Sequence, residues 1–251
     1  MCGRFSQQRP ASELAEIFAA EPLADDPGAR FNVAPTDDAL VVVQREERRA
    51  IRAYRWGLVP HWADGLKVGS RMFNARAETL TTSPAFRDAF KRRRCLVPVD
   101  SFYEWKREGK VRQPFNIVRA DGRPLALAGL WAGWRDPESD PEAPLIRRTF
   151  TIVTTMPNAA MADLHDRMPV IVPDDAWDRW LDPAPASDQG ELIALLQPSD
   201  EIALRIYAVN RDVNDVRRDG PELVEPLVEP LAEPVEAAEP DRPDARGTLG
   251  L

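Results

Sequence analysis

The chain has 251 residues, of which 43% are hydrophobic and 29% charged, so it holds enough apolar side chains for a folded core. Its formal net charge of −8 argues against a uniformly basic nucleic-acid-binding surface. Residues 221–251 contain eight acidic residues and two arginines, which leaves a net charge of only −2 for residues 1–220. The composition therefore excludes a broadly basic protein and leaves room for a local basic groove.

The apolar runs and the cysteine content predict the compartment. The apolar runs, such as 39-ALVVVQ-44, have the length of a strand and fall far short of the roughly 20 residues that span a bilayer. An apolar leader is not visible in the first residues, and two cysteines cannot form a disulfide framework. We therefore expect a cytoplasmic protein without a membrane partner.

The predicted elements are mainly short strands. In chain order we predict a helix over 11–20, strands over 39–44 and 51–60, a helix over 84–92 with Ser83 as N-cap, a long strand over 95–105, strands over 114–120, 125–134, 148–155 and 168–172, helices over 174–181 and 190–197, and a strand over 203–209. The pair Asp121-Gly122 predicts a hairpin between its flanking strands.

These strands do not alternate regularly with helices, which disfavours a doubly wound parallel sheet. We expect an α+β fold with a mostly antiparallel, barrel-like β core and a few short helices. No linker interrupts residues 1–228, so we expect a single domain there and a monomer. Residues 229–251 are rich in Glu and Pro, a composition that predicts a disordered acidic tail.

The opening 1-MCGRFS-6 places a cysteine directly after the initiator methionine. Removal of Met1 would give Cys2 a free α-amine beside its thiol, and in unstructured peptides these two groups titrate with pKa values of about 8 and about 8.5. With an aldehyde, the amine forms a Schiff base and the thiol closes a five-membered thiazolidine ring in an intramolecular step. With an amide, the same pair could act as nucleophile and base.

Three further residues are candidates for proton transfer or hydrogen bonding. The chain has two histidines, and His165 lies between two predicted strands in a segment that Asn158 could cap as a short helix. Glu104 lies in the aromatic stretch 100-DSFYEWK-106, where partial desolvation would raise its pKa. Asn74 belongs to 71-RMFNARAETL-80, in which an extended backbone would place Asn74, Arg76 and Glu78 on one face. A satisfied loop histidine and solvated strand residues would give the same patterns.

Common alternatives to such a site are missing from the sequence. Two cysteines and two histidines at these spacings do not form a zinc site, and the chain contains neither a phosphate loop nor a dinucleotide-binding glycine motif. We therefore expect no metal and no cofactor. Cys95 opens an apolar strand, and we interpret it as a buried structural residue.

Taken together, these segments resemble the SRAP family (SOS response-associated peptidase), whose members crosslink to abasic sites in single-stranded DNA. The resemblance covers nearly the whole predicted domain in family order. It rests on 1-MCGRFS-6, 32-NVAPT-36, 55-RWGLVPHWA-63, 74-NARAET-79, 98-PVDSFYEW-105, 125-LALAGLW-131, 152-IVTTMPN-158, 164-LHDRMPVIV-172 and 220-GPELVEP-226.

The resemblance implies a role for each candidate residue. Cys2 would be the covalent residue, Glu104 and His165 would transfer protons, and Asn74 would orient the linkage. Arginines at three matching positions would hold phosphates beside the lesion, and two residues in matching segments would form a wedge or stacking surface. These five DNA-binding candidates are Arg4, Arg76, Arg167, Trp62 and Pro35.

The resemblance also implies associated peptidase, autoprocessing or lyase activities. Two other classes remain open on the residues alone: an N-terminal-nucleophile amidohydrolase that begins with the same Cys2-Gly3 pair, and a non-covalent single-stranded DNA-binding module.

Overall fold

Thirteen strands and four short α-helices form the part of the chain that the structure, a computed structural model, describes: residues 2–109, 111–183 and 189–227. The strands are β1 (Phe5–Gln7), β2 (Glu21–Pro22), β3 (Arg30–Val33), β4 (Asp38–Arg45), β5 (Arg48–Trp56), β6 (Asn74–Arg76), β7 (Arg94–Val99), β8 (Ser101–Glu108), β9 (Val111–Arg119), β10 (Leu125–Arg135), β11 (Ile146–Thr155), β12 (Met168–Pro169) and β13 (Leu204–Ala208). The helices are α1 (Ala11–Ile17), α2 (Arg87–Arg92), α3 (Trp177–Leu181) and α4 (Gln189–Ala194).

Five of the strands close into a barrel. The order is β11-β10-β7-β4-β5 with antiparallel neighbours, and β5 returns to β11 through a short parallel pairing at Arg55↔Thr149 and Trp56↔Phe150. This arrangement confirms the predicted α+β class and the mostly antiparallel, barrel-like core.

Alternate residues of the barrel strands fill its interior, as the two-residue period of a strand requires. Val41, Tyr54, Val97, Trp131 and Ile152 belong to one buried cluster inside the barrel. The opposite faces of the same strands form a second cluster with the helices. Cys95 is fully buried in the interior cluster, as the sequence predicted.

A second sheet, in the order β13-β9-β8-β1-β3, carries the N-terminal strand between two neighbours. Phe5 pairs with Phe102 of β8 and with Val33 of β3. Its ring lies 4.9 Å from the ring of Trp56, at the end of β5. This contact packs the second sheet against the barrel.

The structure changes two predicted connections. The predicted strand over 95–105 is two strands separated at Asp100, and β7 joins the barrel while β8 joins the second sheet. Asp100 stabilises this break, because its carboxylate accepts hydrogen bonds from the backbone amides of Gln8 and Arg9. The predicted hairpin at Asp121-Gly122 is wrong, because β9 and β10 lie in different sheets and do not pair.

Several predicted helices and strands are also longer than the observed ones. Helix α2 begins only at Arg87, because Ser83 forms a turn in which its carbonyl accepts from the amides of Phe86 (3.1 Å) and Arg87 (2.9 Å). The predicted strand over 51–60 ends at Trp56. Strands β1, β3 and β6 were not predicted, since three or four residues give too short a pattern to recognise.

Two predictions from the sequence concern residues that the structure does not describe. Residues 228–251 lie outside the described residues, so the domain limit at 228 and the acidic tail over 229–251 stay predictions. Within the described ranges, no helix is long and apolar enough to span a membrane.

At Gly57 both the backbone conformation and the surrounding atoms oppose a side chain. The φ of Gly57 is +115°, and a Cβ built there would lie 2.5 Å from the carbonyl oxygen of Gly69. Gly57→Ala should therefore destabilise the protein by about 2–4 kcal/mol, from backbone strain and overpacking together. Gly122→Ala is the matched control, because Gly122 also has a positive φ, +77°, but has open space around its Cβ position. Urea unfolding of both variants checks this, and equal losses of unfolding free energy would contradict the close approach.

Candidate active site

Cys2 lies just before β1 and is held from two sides. The amide of Tyr103 donates to the carbonyl of Arg4 at 3.0 Å, which extends the contact between β1 and β8 toward the N-terminus. The side-chain amide of Asn74 donates to the carbonyl of Cys2 at 2.8 Å. Cys2 is fully buried, and its Sγ lies 4.0 Å from the Arg4 carbonyl oxygen. The first residues are thus positioned by β8 and by β6.

Glu104 is a buried carboxyl group on β8. Residues two apart on a strand share a face, so Glu104 points to the same side as Phe102, which packs in the cluster that contains Cys2. Glu104 is only 1% exposed. Burial raises its pKa to about 7. At neutral pH such a group holds a proton about half of the time and can both donate and accept one.

His165 is carried by the loop between β11 and β12. Asn158 accepts from the amide of Met161 at 3.1 Å, and its side-chain amide donates to the carbonyl of Ser199 at 3.0 Å. The amide of His165 donates to the carbonyl of Met161 at 3.0 Å. The short helix predicted after Asn158 is replaced by consecutive turns, although Asn158 does hold the start of the segment.

The His165 ring faces Glu104. Its Nε2 lies 4.0 Å from Oε2 of Glu104, and its Nδ1 lies 3.0 Å from the donating backbone amide of Arg167. Burial lowers the pKa of His165, so the ring is neutral near pH 7. A neutral ring that accepts at Nδ1 carries its proton on Nε2, toward the carboxyl group of Glu104.

Asp166 is a neighbour of this ring that sequence reasoning left without a role. Its carboxylate oxygen Oδ1 lies 2.8 Å from His165 Nδ1, and its side chain is largely exposed. A protonated ring would donate from Nδ1 to this carboxylate. Its position next to His165 in the sequence was the only signal that could have indicated this.

The thiol of Cys2 is protonated at neutral pH. Burial raises its pKa well above the ordinary range, and the nearby Glu104 carboxylate raises it further. The thiol therefore needs a proton acceptor before it can attack an electrophile.

The polar face predicted for Asn74, Arg76 and Glu78 is only partly formed. Strand β6 runs parallel to β11, with Asn74 opposite Ile152 and Arg76 opposite Thr154. Glu78 lies beyond the strand, in a 3-10 helix over Ala77–Thr79, so the alternation ends before it. Its carboxylate instead accepts two hydrogen bonds from Arg167, at 2.5 and 3.0 Å.

The three arginines expected to hold phosphates differ in how far protein groups already occupy their guanidinium N–H donors. Arg167 is bound to Glu78 and also donates to the carbonyl of Thr154 at 2.6 Å. Arg4 donates to the side chain of Asn32 at 2.7 Å and to the carbonyl of Val213 at 2.8 Å. Arg76 is exposed and forms no ion pair with any described carboxylate. Arg76 is therefore the most available of the three for a phosphate.

Pro35 and Trp62 lie on separate surface segments. Trp62 is 54% exposed and borders a cavity of about 170 Å³ beside α2. Pro35 is half-buried and precedes Thr36, whose φ of +84° is strained for a β-branched residue. The amide of Thr36 donates to the carbonyl of Trp56 at 2.9 Å, which holds this turn against the barrel.

The described ranges contain no group of three or more His, Cys, Asp or Glu side chains that could hold a metal ion. The site thus consists of a buried thiol, a buried carboxyl group with a raised pKa, a neutral imidazole and an amide donor, all gathered at the N-terminal strand.

Comparison with known proteins places the chain in a family. The sequence profile of the SOS response associated peptidase (SRAP) family matches residues 1–216, and the chain belongs to this family. The sequence-based assignment to the SRAP family is thereby confirmed.

The chain is similar to several proteins that are named abasic site processing proteins. It is 39% identical to YoqW of Bacillus subtilis over 228 residues, which cover 90% of this chain and 99% of that protein. It is 31% identical to YedK of Escherichia coli over 234 residues, covering 90% of this chain and 100% of YedK. A crystal structure of a protein from Bacteroides thetaiotaomicron shares the fold, with a TM-score of 0.77 at 24% identity over 90% of this chain and 100% of that one.

The buried carboxyl group of Glu104 should make stability depend on pH. Its pKa of about 7 in the folded protein exceeds the 4.5 of an unperturbed glutamate, so its favourable contribution is complete below pH 4.5 and is lost as pH rises through 7. Between pH 5 and pH 8 the wild type should lose about 2–3 kcal/mol of unfolding free energy relative to Glu104→Gln, which cannot titrate.

Urea unfolding at both pH values measures this difference. Glu16→Gln, a change at an exposed glutamate of α1, is the control and should follow the wild type at both pH values. A Glu104→Gln profile parallel to that of the wild type would show that the Glu104 pKa is not raised.

Proposed function

We propose that this protein processes abasic sites in DNA by capturing them, in single-stranded DNA, as a covalent adduct on Cys2. The observation that carries the proposal is the convergence at the N-terminal strand: Asn74 bonds the carbonyl of Cys2, and β8, which pairs with β1, carries the Glu104 carboxyl group 4.0 Å from the ring of His165. The names of similar proteins, among them YoqW and YedK, support abasic-site DNA as the target.

The first step joins the α-amine of Cys2 to the aldehyde of the ring-opened deoxyribose. Removal of Met1 creates this amine. The nitrogen attacks C1′, and loss of water leaves a C=N bond between the sugar and Cys2. Glu104, with a pKa of about 7, supplies the proton that the departing hydroxyl needs. It then accepts a proton in the next step.

The second step closes the ring. The thiol gives its proton to the Glu104 carboxylate, the sulfur adds to C1′, and the former imine nitrogen takes up a proton to become a ring amine. Because both nucleophiles belong to one residue, ring closure is intramolecular and strongly favoured over attack by a separate thiol. His165 relays protons through Nε2–H, and the Asn74 bond to the Cys2 carbonyl keeps the amine and thiol directed at the sugar.

Only a few charged side chains contact the DNA directly. Arg76 contacts a phosphate next to the lesion, and the exposed indole of Trp62 offers a surface on which a base can stack. Pro35, on its strained turn, is the wedge in the bent strand. Arg4 and Arg167 hold neighbouring phosphates with fewer N–H groups than Arg76 offers, since protein groups already occupy part of each guanidinium.

Variants at Cys2 test the covalent step. Mixed with a single-stranded oligonucleotide that carries one abasic site, the wild type should give a heat-stable adduct on denaturing gels. Cys2→Ala should give none after heating. Cys2→Ser keeps the amine, and its adduct should survive only after reduction with borohydride, because an imine without ring closure hydrolyses.

Cys95→Ala is the control for this experiment, since it removes the other buried cysteine and should retain the adduct. A heat-stable adduct from Cys2→Ala would sink the proposal. Ammonia release from glutamine without any adduct would support the amidohydrolase instead, and reversible binding alone would support the DNA-binding module.

The proposed role of Arg76 predicts an effect on binding. Arg76→Gln should weaken binding of the same oligonucleotide, and the slope of log K against log salt should fall by about one unit. Arg147→Gln is the matched control: it removes the same charge from an exposed residue that lies seven strand positions, roughly 23 Å, from Thr154. Equal salt slopes for Arg76→Gln and wild type, measured by fluorescence anisotropy, would contradict the phosphate contact.

A further inference from the structure

A cavity of about 400 Å³ at one end of the barrel is lined by three arginines, Arg45 of β4, Arg52 of β5 and Arg148 of β11. All three lie at strand positions that alternate with outward-facing ones, so their side chains emerge from the barrel interior over Tyr54 and Trp131. The proposed chemistry at Cys2 does not involve these residues.

Two of the guanidinium groups are fixed on an aromatic ring. Arg45 and Arg148 stack on the indole of Trp131, with their central carbons 5.3 and 5.4 Å from its ring centroid. Trp131 is only 6% exposed, so its position is fixed by the core. Stacking restricts both side chains, which line the cavity, and so lowers the entropy lost when a ligand binds.

The positive charge at this end of the barrel is poorly compensated. None of the three arginines forms an ion pair with a carboxylate of the described residues, and Asp25 is the one acidic residue among the described side chains that line the cavity. Tyr54 lies beneath them, and although burial raises its pKa, all three arginines act in the opposite direction. Three cations that face one cavity repel one another unless an anion separates them.

This cavity is distinct from the candidate active site. Asn74, which bonds Cys2, lies opposite Ile152 on β11, and Arg148 precedes Ile152 by four strand positions, roughly 13 Å. The two sites therefore lie toward opposite ends of the same strand.

We propose that Arg45, Arg52 and Arg148 form a second binding site, for a phosphate-bearing ligand. Arginine N–H groups match phosphate oxygens in pairs, and the cavity is larger than a lone phosphate needs. Two sources supply this chemistry: a free nucleotide, and a backbone phosphate of a DNA strand. The site does not depend on the covalent step at Cys2.

Calorimetric titration with inorganic phosphate, with deoxyadenosine monophosphate and with an intact single-stranded oligonucleotide tests the site and separates the sources. Arg148→Gln should lower the affinity for deoxyadenosine monophosphate or for the oligonucleotide at least tenfold. Loss confined to the nucleotide identifies a free organic phosphate, and loss with the oligonucleotide identifies the DNA backbone.

Arg147→Gln is the matched control, because it removes the same charge from the neighbouring position, whose side chain points to the opposite face of β11. Arg52→Gln, which leaves the stacked pair on Trp131 intact, repeats the test without risk to that packing. The proposal would be overturned if neither phosphate nor deoxyadenosine monophosphate bound at millimolar concentration while Arg148→Gln left the oligonucleotide affinity unchanged, or if Arg147→Gln and Arg148→Gln gave equal losses.

Discussion

The position of the N-terminal strand between β8 and β3 is the constraint on which the candidate site depends. Chain termini usually fray, because they have few partners. Here β1 pairs on both edges, Asp100 binds the backbone that follows it, and Phe5 packs on Trp56 of the barrel. Cys2, which would otherwise be mobile, is thereby held in the interior beside β8, the strand that carries the buried Glu104. Preorganisation of this kind is what an intramolecular reaction at Cys2 requires.

The same burial sets the protonation states of the Glu104 carboxyl group and the His165 ring in the candidate site. In water, a carboxyl group would be ionised and a histidine partly protonated at neutral pH. In this site burial moves the pKa of Glu104 up to about 7 and the pKa of His165 down. The two shifts keep the net charge of the pair small, since both groups spend much of their time neutral. A nearly neutral pair is the arrangement that a buried site of low polarity can tolerate.

The sequence predicted the parts of the fold that rest on long patterns. Strands β4, β10 and β11 were found within a few residues of their bounds, because long apolar runs give a clear signal. The break at Asp100 was missed because the apolar run continues through it, and only the tertiary contact with Gln8 and Arg9 distinguishes one strand from two. Strands of three or four residues, such as β1, are stabilised by pairing with neighbouring strands and are too short to show a two-residue hydrophobic period in the sequence.

For the site, the sequence could name residues but could not predict their contacts. Arg76 and Arg167 have the same charge and were assigned the same role, yet Arg167 is bound by Glu78 and Arg76 is not.

An acidic protein can still have local positive charge at the two proposed anion sites, because only some of its arginines pair with carboxylates. Pairing of Arg30, Arg119 and Arg167 with carboxylates cancels their charge locally and fixes loops and strands. Arg76 and the three arginines at the end of the barrel have no such partner among the described residues, so their positive charge stays available to an anion that approaches either place. Screening limits the reach of these charges to about 8–10 Å at physiological salt, so the net charge of −8 does not set the potential at either site. The charges within this distance, rather than the composition of the whole chain, therefore set the electrostatic potential at each proposed anion site.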